Sequence, residues 1–254
     1  MKLFEIYFRL NDTYRSSKKK EIDQTNYLHI LYRKMSLPLT AVALFLGISA
    51  NVMTLFSFTF LVISFLSFCN GLFLVGAFSY FFAYILDFVD GNIARYFSTS
   101  NYFGKFIDGL VDSLTFLLFL SVAIGNVYFG KVHEFSDNEL PLGIINSFIF
   151  LFMAYFNVRI AYLRAELNNA NNSSGLSPIQ ENKSSILWVL FKFYKKSFNL
   201  LISALPIVLL LFVLFDSLFY FTIYGFLVFG VIGFVEVIIN FFYLYKKFNF
   251  PRNL

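Results

Sequence analysis

The chain has one cysteine, Cys69, and two histidines in 254 residues. A single thiol excludes an internal disulfide and any metal centre built from several thiolates. Cys69 reads as a small, inert apolar residue. Charge is scarce as well: Asp, Glu, Lys and Arg make up 14% of the chain, against roughly one quarter in ordinary soluble domains. No short apolar core with a small-residue cleavage site stands near the N-terminus. The first 36 residues are polar, with Lys18, Lys19 and Lys20 in the middle, so no cleavable signal peptide is expected. No internal repeat is found, which weakens a transporter built from inverted halves.

What is present is apolar bulk. Hydrophobic residues reach 58% and aromatics 22%, with 38 phenylalanines. This composition implies a single membrane domain rather than two soluble ones. The net charge of +5 does not point to nucleic acid, because the basic residues flank apolar segments, where they orient helices and meet anionic lipid. A spanning helix needs about 20 apolar residues. Six segments qualify, at about residues 51–70, 72–90, 105–128, 143–163, 197–217 and 219–245. The expected fold is an all-α integral membrane protein with six transmembrane helices preceded by an interfacial amphipathic helix. That interfacial helix is placed at Leu37 to Ile48, which contains Pro38 and is too short to span. Ile186 to Lys196 reads as a second surface helix, and Asn168 to Ser185, rich in Asn and Ser, as a flexible loop.

The expected organisation is a polar, basic N-terminal segment (residues 1–36), a six-helix membrane domain (37–245) and a short basic tail (246–254). Lysine and arginine fix the expected orientation. They crowd the N-terminal segment, including Arg33, the second-to-third and fourth-to-fifth connections and the C-terminal tail. Only Lys131 falls on the opposite side, in a loop with Glu134, Asp137 and Glu139. Both termini should then be cytoplasmic. The Asn-x-Ser/Thr triplets at Asn11, Asn171, Asn172 and Asn182 fall on that side and read as chance matches.

Between the second and third apolar segments lie four aspartates: Asp87, Asp90, Asp108 and Asp112. Carboxylates at membrane depth are costly and functional by default. At about 100° per residue, Asp90, Gly91 and Ala94 lie within ~60° of Asp87 on a helical face. Gly104, Asp108 and Asp112 share a second face. Two acidic faces joined by a short loop make an oxygen-rich pocket suited to Mg2+ or Mn2+, and no His or Cys stands near enough to suggest zinc. Gly91, Ala94 and Gly104 keep the face low for a bulky ligand. Arg95 adds a planar fork for phosphate oxygens. Metal ions, an arginine and a spare carboxylate fit phosphoryl-group transfer. The plainer reading, carboxylates at helix ends facing water, suits one aspartate better than four.

The spacing Asp-x2-Asp-Gly-x2-Ala-Arg-x8-Gly-x3-Asp-x3-Asp resembles the signature of the CDP-alcohol phosphotransferase family, and every position is filled. The resemblance implies a six-helix membrane enzyme that transfers a phospho-alcohol group from a CDP-linked donor to a hydroxyl and releases CMP. It implies metal ligation by Asp87, Asp90 and Asp108, with two ions expected. Asp112 matches the position of the general base and is also a candidate ligand of the second ion. Gly91, Ala94, Arg95 and Gly104 match positions lining the CDP site. The family's Pro-Asn-x-x-Thr at the first span appears as Ala50-Asn51-Val-Met-Thr54, retaining Asn51 and Thr54 without the proline. Asn101 occupies the place of a donor-phosphate contact in the linking loop.

The expected donor is CDP-diacylglycerol and the expected acceptor a polar alcohol, including phosphorylated ones such as glycerol phosphate or inositol phosphate. The reverse arrangement, a soluble CDP-alcohol donor with diacylglycerol as acceptor, shares the same signature. The rival from another class is a divalent-cation channel. It fits less well, because the aspartates gather at one end of two helices and Arg95 stands beside them. Arg159, expected to point inward, is weighed evenly between an orienting residue and a contact for an acceptor phosphate. Lys105 is a candidate for the same pocket, whereas Arg164 reads as an orienting residue. Glu236 has no nameable partner. His29 and His133 read as solvated surface residues. Gly225, Gly230 and Gly233 suit close helix packing and permit a homodimer contact.

Overall fold

A computed structural model describes residues 3–16, 26–97, 102–130, 136–173, 186–235, 237–239 and 241–242. Every described element is a helix: α1 (Leu3–Ser16), α2 (Tyr27–Phe45), α3 (Ala50–Cys69), α4 (Phe73–Tyr96), α5 (Tyr102–Ser113), α6 (Phe116–Phe129), α7 (Ser136–Ser173), α8 (Ile186–Leu214) and α9 (Leu218–Gly225). From Phe226 to Gly233 the last of these continues as a π-helix.

Among the described residues, five stretches are long and apolar enough to cross a membrane: Ala50–Cys69, Phe73–Tyr96, Gly109–Phe129, Asn138–Ile160 and Leu218–Ile239. The sixth expected span, residues 197–217, differs. Its apolar helix, Asn199–Leu214, is shorter, and it is the end of the longer α8. The segment read as a separate surface helix, Ile186 to Lys196, is continuous with it. Likewise α7 runs to Ser173, so the first part of the loop expected over 168–185 is helical.

One span, α3, turns several polar residues inward and large apolar ones outward, the reverse of a helix in a water-soluble bundle. On α3 the buried face carries Thr54, Ser57, Ser64 and Ser67, while Leu55, Phe56, Ile63 and Leu66 are exposed. A surface of this kind is stable only against lipid. The inward hydroxyls then bind backbone oxygens of the next helix. Ser57 Oγ donates to Ala83 O (2.9 Å) and Ser64 Oγ to Gly76 O (2.8 Å). These bonds zip α3 and α4 into an antiparallel hairpin. Its turn passes through Gly71, whose φ of +73° suits glycine. Small residues set the helix spacing. A Cβ on Gly125 would overlap the Phe68 carbonyl oxygen, and one on Gly225 would strike the Phe119 ring. Phe119 stacks on Phe221 and meets Phe229 edge-on, each at 5.4 Å. Gly225 thus serves packing within the chain.

α2 departs most from its expected form. It begins at Tyr27, not Leu37, and runs through Pro38. Asn26 starts it, its side-chain oxygen accepting from the Leu28 amide (3.1 Å). The outward stripe is Leu31, Met35, Leu39 and Val42; the buried face includes Arg33, Ser36 and Thr40. Hydrophobic periodicity over Leu37 to Ile48 missed the first ten residues because their buried side is polar. α1 packs on α2 through Ile6 and Leu10 against Leu37 and Ala41, with Phe4 and Phe8 exposed. A further correction concerns Glu139. It is no loop residue in water, being 1% exposed at the start of α7 and bonded to the Asn126 side-chain amide.

Candidate active site

The hairpin brings the start of α3 beside the end of α4. There the two helices enclose, with α2, α5, α7 and α8, a cavity of about 420 Å³. Its lining includes Asp87, Asp90, Gly91 and Arg95 of α4 and His29 and Arg33 of α2, together with the apolar Leu61, Ala83, Phe150, Ile202 and Leu205. The α4 wall reads Tyr80, Tyr84, Asp87, Gly91, Arg95, one residue per turn along a single stripe.

Asp87 is half-buried and Asp90 is 7% exposed. Thr54 Oγ1 donates to Asp90 Oδ2 at 2.6 Å, and the same hydroxyl lies 3.2 Å from the Ala50 carbonyl oxygen. A charge-assisted bond this short fixes one carboxylate oxygen. Gly91 has a packing reason. A Cβ there would stand 3.2 Å from Arg95 Nη2 and 3.3 Å from Nη1, so the guanidinium lies along its own helix over the glycine. The low face therefore seats Arg95 beside Asp87 and Asp90.

Asn92, which no motif singles out, joins α2 to α4. Its Oδ1 accepts from Arg33 Nη1 (2.6 Å) and from Arg95 Nη2 (2.8 Å). Its Nδ2 donates to Ser36 Oγ (3.0 Å) and Thr40 Oγ1 (3.2 Å). Arg33, expected only to orient the N-terminal segment, is buried in the site. His29, expected in water, is half-buried, lines the cavity and meets the Phe88 ring edge-on at 5.6 Å. Both misreadings have one cause. Their helix was expected to begin after them. Deeper in, Tyr32 donates to Ser203 O (3.0 Å), tying α2 to α8. Burial, with Tyr84 beside it, holds that hydroxyl above the ordinary phenol range, so it stays a donor.

The other expected site residues fall as follows. Asn51 is exposed in the first turn of α3, and Ala94 is half-buried; neither lines the cavity. Gly104 lies in α5. Asn101 lies outside the described residues, and so do the side chains of Lys105, Asp108, Asp112 and Arg164, together with Glu236 and His133. The helix that carries Asp108 and Asp112 does reach the cavity through Val111, and Thr115, in the turn just past its end, also lines it. Arg159 does not point inward. It is exposed, with its guanidinium 5.9 Å from the Tyr155 ring centre.

The described residues fit a hard divalent cation. Two carboxylates one turn apart share a cavity wall, and Mg2+ commonly takes one or two carboxylates together with substrate phosphates and water. Among the described residues no three His, Cys, Asp or Glu side chains gather.

The cavity beside the lipid-facing α3–α4 pair thus holds the first two aspartates of the signature, Asp87 and Asp90, among both charged and apolar residues. The sequence model of the CDP-alcohol phosphatidyltransferase family matches residues 47–237. The chain belongs to that family, whose members transfer a phospho-alcohol group from a CDP-alcohol. No curated protein matches the chain.

Proposed function

We propose that the protein transfers the phosphatidyl group of CDP-diacylglycerol to the hydroxyl of a polar alcohol and releases CMP, at the cytoplasmic face of its membrane. The observation that carries this reading is the mixed lining of the cavity. Charged groups of α2 and α4 share it with aliphatic and aromatic ones of α3, α7 and α8. A donor with a diphosphate head and two acyl chains needs both.

In this reading the acceptor oxygen attacks the phosphorus that bears the diacylglycerol. The bond from that phosphorus to the cytidylate oxygen breaks, and CMP departs with the electron pair. Asp112 takes the acceptor's proton. Asp87, Asp90 and Asp108, with Asp112 at a second position, would hold Mg2+ or Mn2+. Such ions neutralise charge developing on the diphosphate. Thr54 keeps Asp90 oriented. Arg95, seated over Gly91, supplies donors to phosphate oxygens. α2 lies at the membrane boundary with its apolar stripe toward lipid.

The test is CMP release by the purified protein in liposomes, with CDP-diacylglycerol and soluble CDP-alcohols supplied side by side. CMP release from CDP-diacylglycerol, lost in Asp108→Asn and Asp112→Asn, is expected. Undiminished release by those variants would remove the mechanism. Release only from a soluble CDP-alcohol in the presence of diacylglycerol would reverse donor and acceptor.

A further inference from the structure

The first helix, α1, stands ahead of residues 47–237, the stretch that matches the family. At 14 residues it is too short to span a bilayer. Its side chains divide into three sectors at about 100° per residue. Ile6 and Leu10 are buried against Leu37 and Ala41 of α2, with Tyr7 and Tyr96 packed beside them. Roughly opposite stand Phe4 and Phe8, one turn apart and 76% and 61% exposed. Glu5, Arg9 and Asp12 are exposed on a third side. The place of α1 says what covers the two phenyl rings. Its Arg9 guanidinium carbon lies 5.7 Å from the Tyr96 ring centre. Tyr96 ends α4, an apolar stretch of 24 residues. Such a helix is about 36 Å long, against a hydrocarbon core of about 30 Å, so its end reaches the headgroups. α1 is held at that depth with it. It also rests on α2, which packs through Ala43 on Met53 at the start of α3 and on Val89 and Ile93 near the end of α4, and whose outward Leu31, Met35, Leu39 and Val42 are exposed.

We propose that α1 is a second membrane-surface helix, lying beside α2 with Phe4 and Phe8 inserted into the boundary between headgroups and acyl chains, and with Glu5, Arg9 and Asp12 toward water. The occupant of the exposed aromatic side is lipid. A short helix with one apolar side and one charged side is the form that lies in an interface instead of crossing it. The exposed rings continue a surface that α2 already turns outward, and lipid is present at headgroup depth whatever the protein concentration, whereas a second copy of the chain is not. The seat also reaches the cavity. Tyr14, near the end of α1, has its ring centre 5.7 Å from the guanidinium carbon of Arg33, a residue of the cavity lining. A helix seated on lipid thus packs directly on the border of the site, on the same face of the membrane. The seat does not depend on which donor or acceptor the site takes.

The experiment reads depth by fluorescence in the full-length protein, reconstituted in phosphatidylcholine liposomes. Phe4→Trp and Phe8→Trp are made separately, so that one variant remains if the other does not fold, and Glu5→Trp reports the charged side. The signal of Trp188, the single native tryptophan, is measured in the unsubstituted protein and subtracted. Phosphatidylcholine brominated on the upper part of its acyl chains should quench at least about half of the emission added at positions 4 and 8, because an interfacial apolar face lies ~5–10 Å into the boundary. Iodide in the surrounding solution should quench position 5 and leave positions 4 and 8 largely untouched. Quenching of positions 4 and 8 by iodide and not by brominated lipid would place that side in water and overturn the seat. Emission at both positions shielded from both quenchers would overturn it as well, and would assign the cover to protein, a second copy of the chain included.

Discussion

Thr54, in the second turn of α3, donates a hydrogen bond from its hydroxyl to the Asp90 carboxylate of α4 across 2.6 Å. One bond therefore couples the packing of two spans to the orientation of an expected metal ligand. Replacing Thr54 by Val keeps the shape and removes the bond. A bond to a buried charged group is worth about 1.5–3 kcal/mol, and part of that loss should appear as a higher Mg2+ requirement. Thr54→Ser should stay near wild type. CMP release measured against Mg2+ concentration checks both variants. Identical curves for Val and wild type would show that the hydroxyl does not tune the site.

Chelation gives the second expectation. Aspartates alone present hard oxygen donors, which suit Mg2+ and Mn2+. EDTA should stop CMP release, and either ion should restore it. Activity that survives exhaustive chelation would remove the cations from the reaction.

Asn92 separates charge from architecture. Asn92→Ala removes the acceptor shared by Arg33 and Arg95 and the donor to Ser36 and Thr40. Leaving buried groups unsatisfied costs about 1–3 kcal/mol, so thermal unfolding in detergent should move down by several degrees. Asn92→Asp keeps the shape and places a carboxylate between the two guanidiniums. It loses the donor to Ser36 and Thr40 but gives the guanidiniums an ionic partner, so it should unfold between wild type and Asn92→Ala, and it should release CMP slowly, because the Arg95 cation proposed to meet phosphate is then neutralised. Full activity in Asn92→Asp would argue that neither guanidinium meets an anion.

Gly125 tests the helix spacing apart from the chemistry. A Cβ there meets the Phe68 backbone, which cannot rotate away. Gly125→Ala should cost about 1–3 kcal/mol as overpacking. Gly109→Ala, whose Cβ meets nothing within 4 Å, is the matched control and should not lower stability. The midpoint of thermal unfolding reads both. Equal midpoints would mean that the approach of α6 to α3 is looser than the geometry shows.

The membrane class and the family were legible in the chain. Runs of phenylalanine, leucine and valine can be stable only where lipid replaces water, and the aspartate spacing is local to one connection. Five of the six expected spans recur with shifted ends. The expectations fail where the helix face pointing inward is polar. Periodicity assigns polar residues to the outside, so α2 was begun ten residues late, and Arg33 and His29 were read as tail. Glu139 was set in water for the same reason. Arg159 shows the converse error: a cation followed by apolar residues was turned inward, where the helix turns it out over Tyr155.

The sequence by itself determined that the chain enters a bilayer and that carboxylates collect where the second apolar run ends, because hydropathy and i, i+3, i+4 spacing are properties of neighbouring residues. Only the tertiary structure decided which distant groups share that place. Arg33 meets Asn92 over 59 positions and Thr54 meets Asp90 over 36. Those meetings depend on how helices cross, and crossing is fixed by glycines and hydroxyls whose partners lie on other helices.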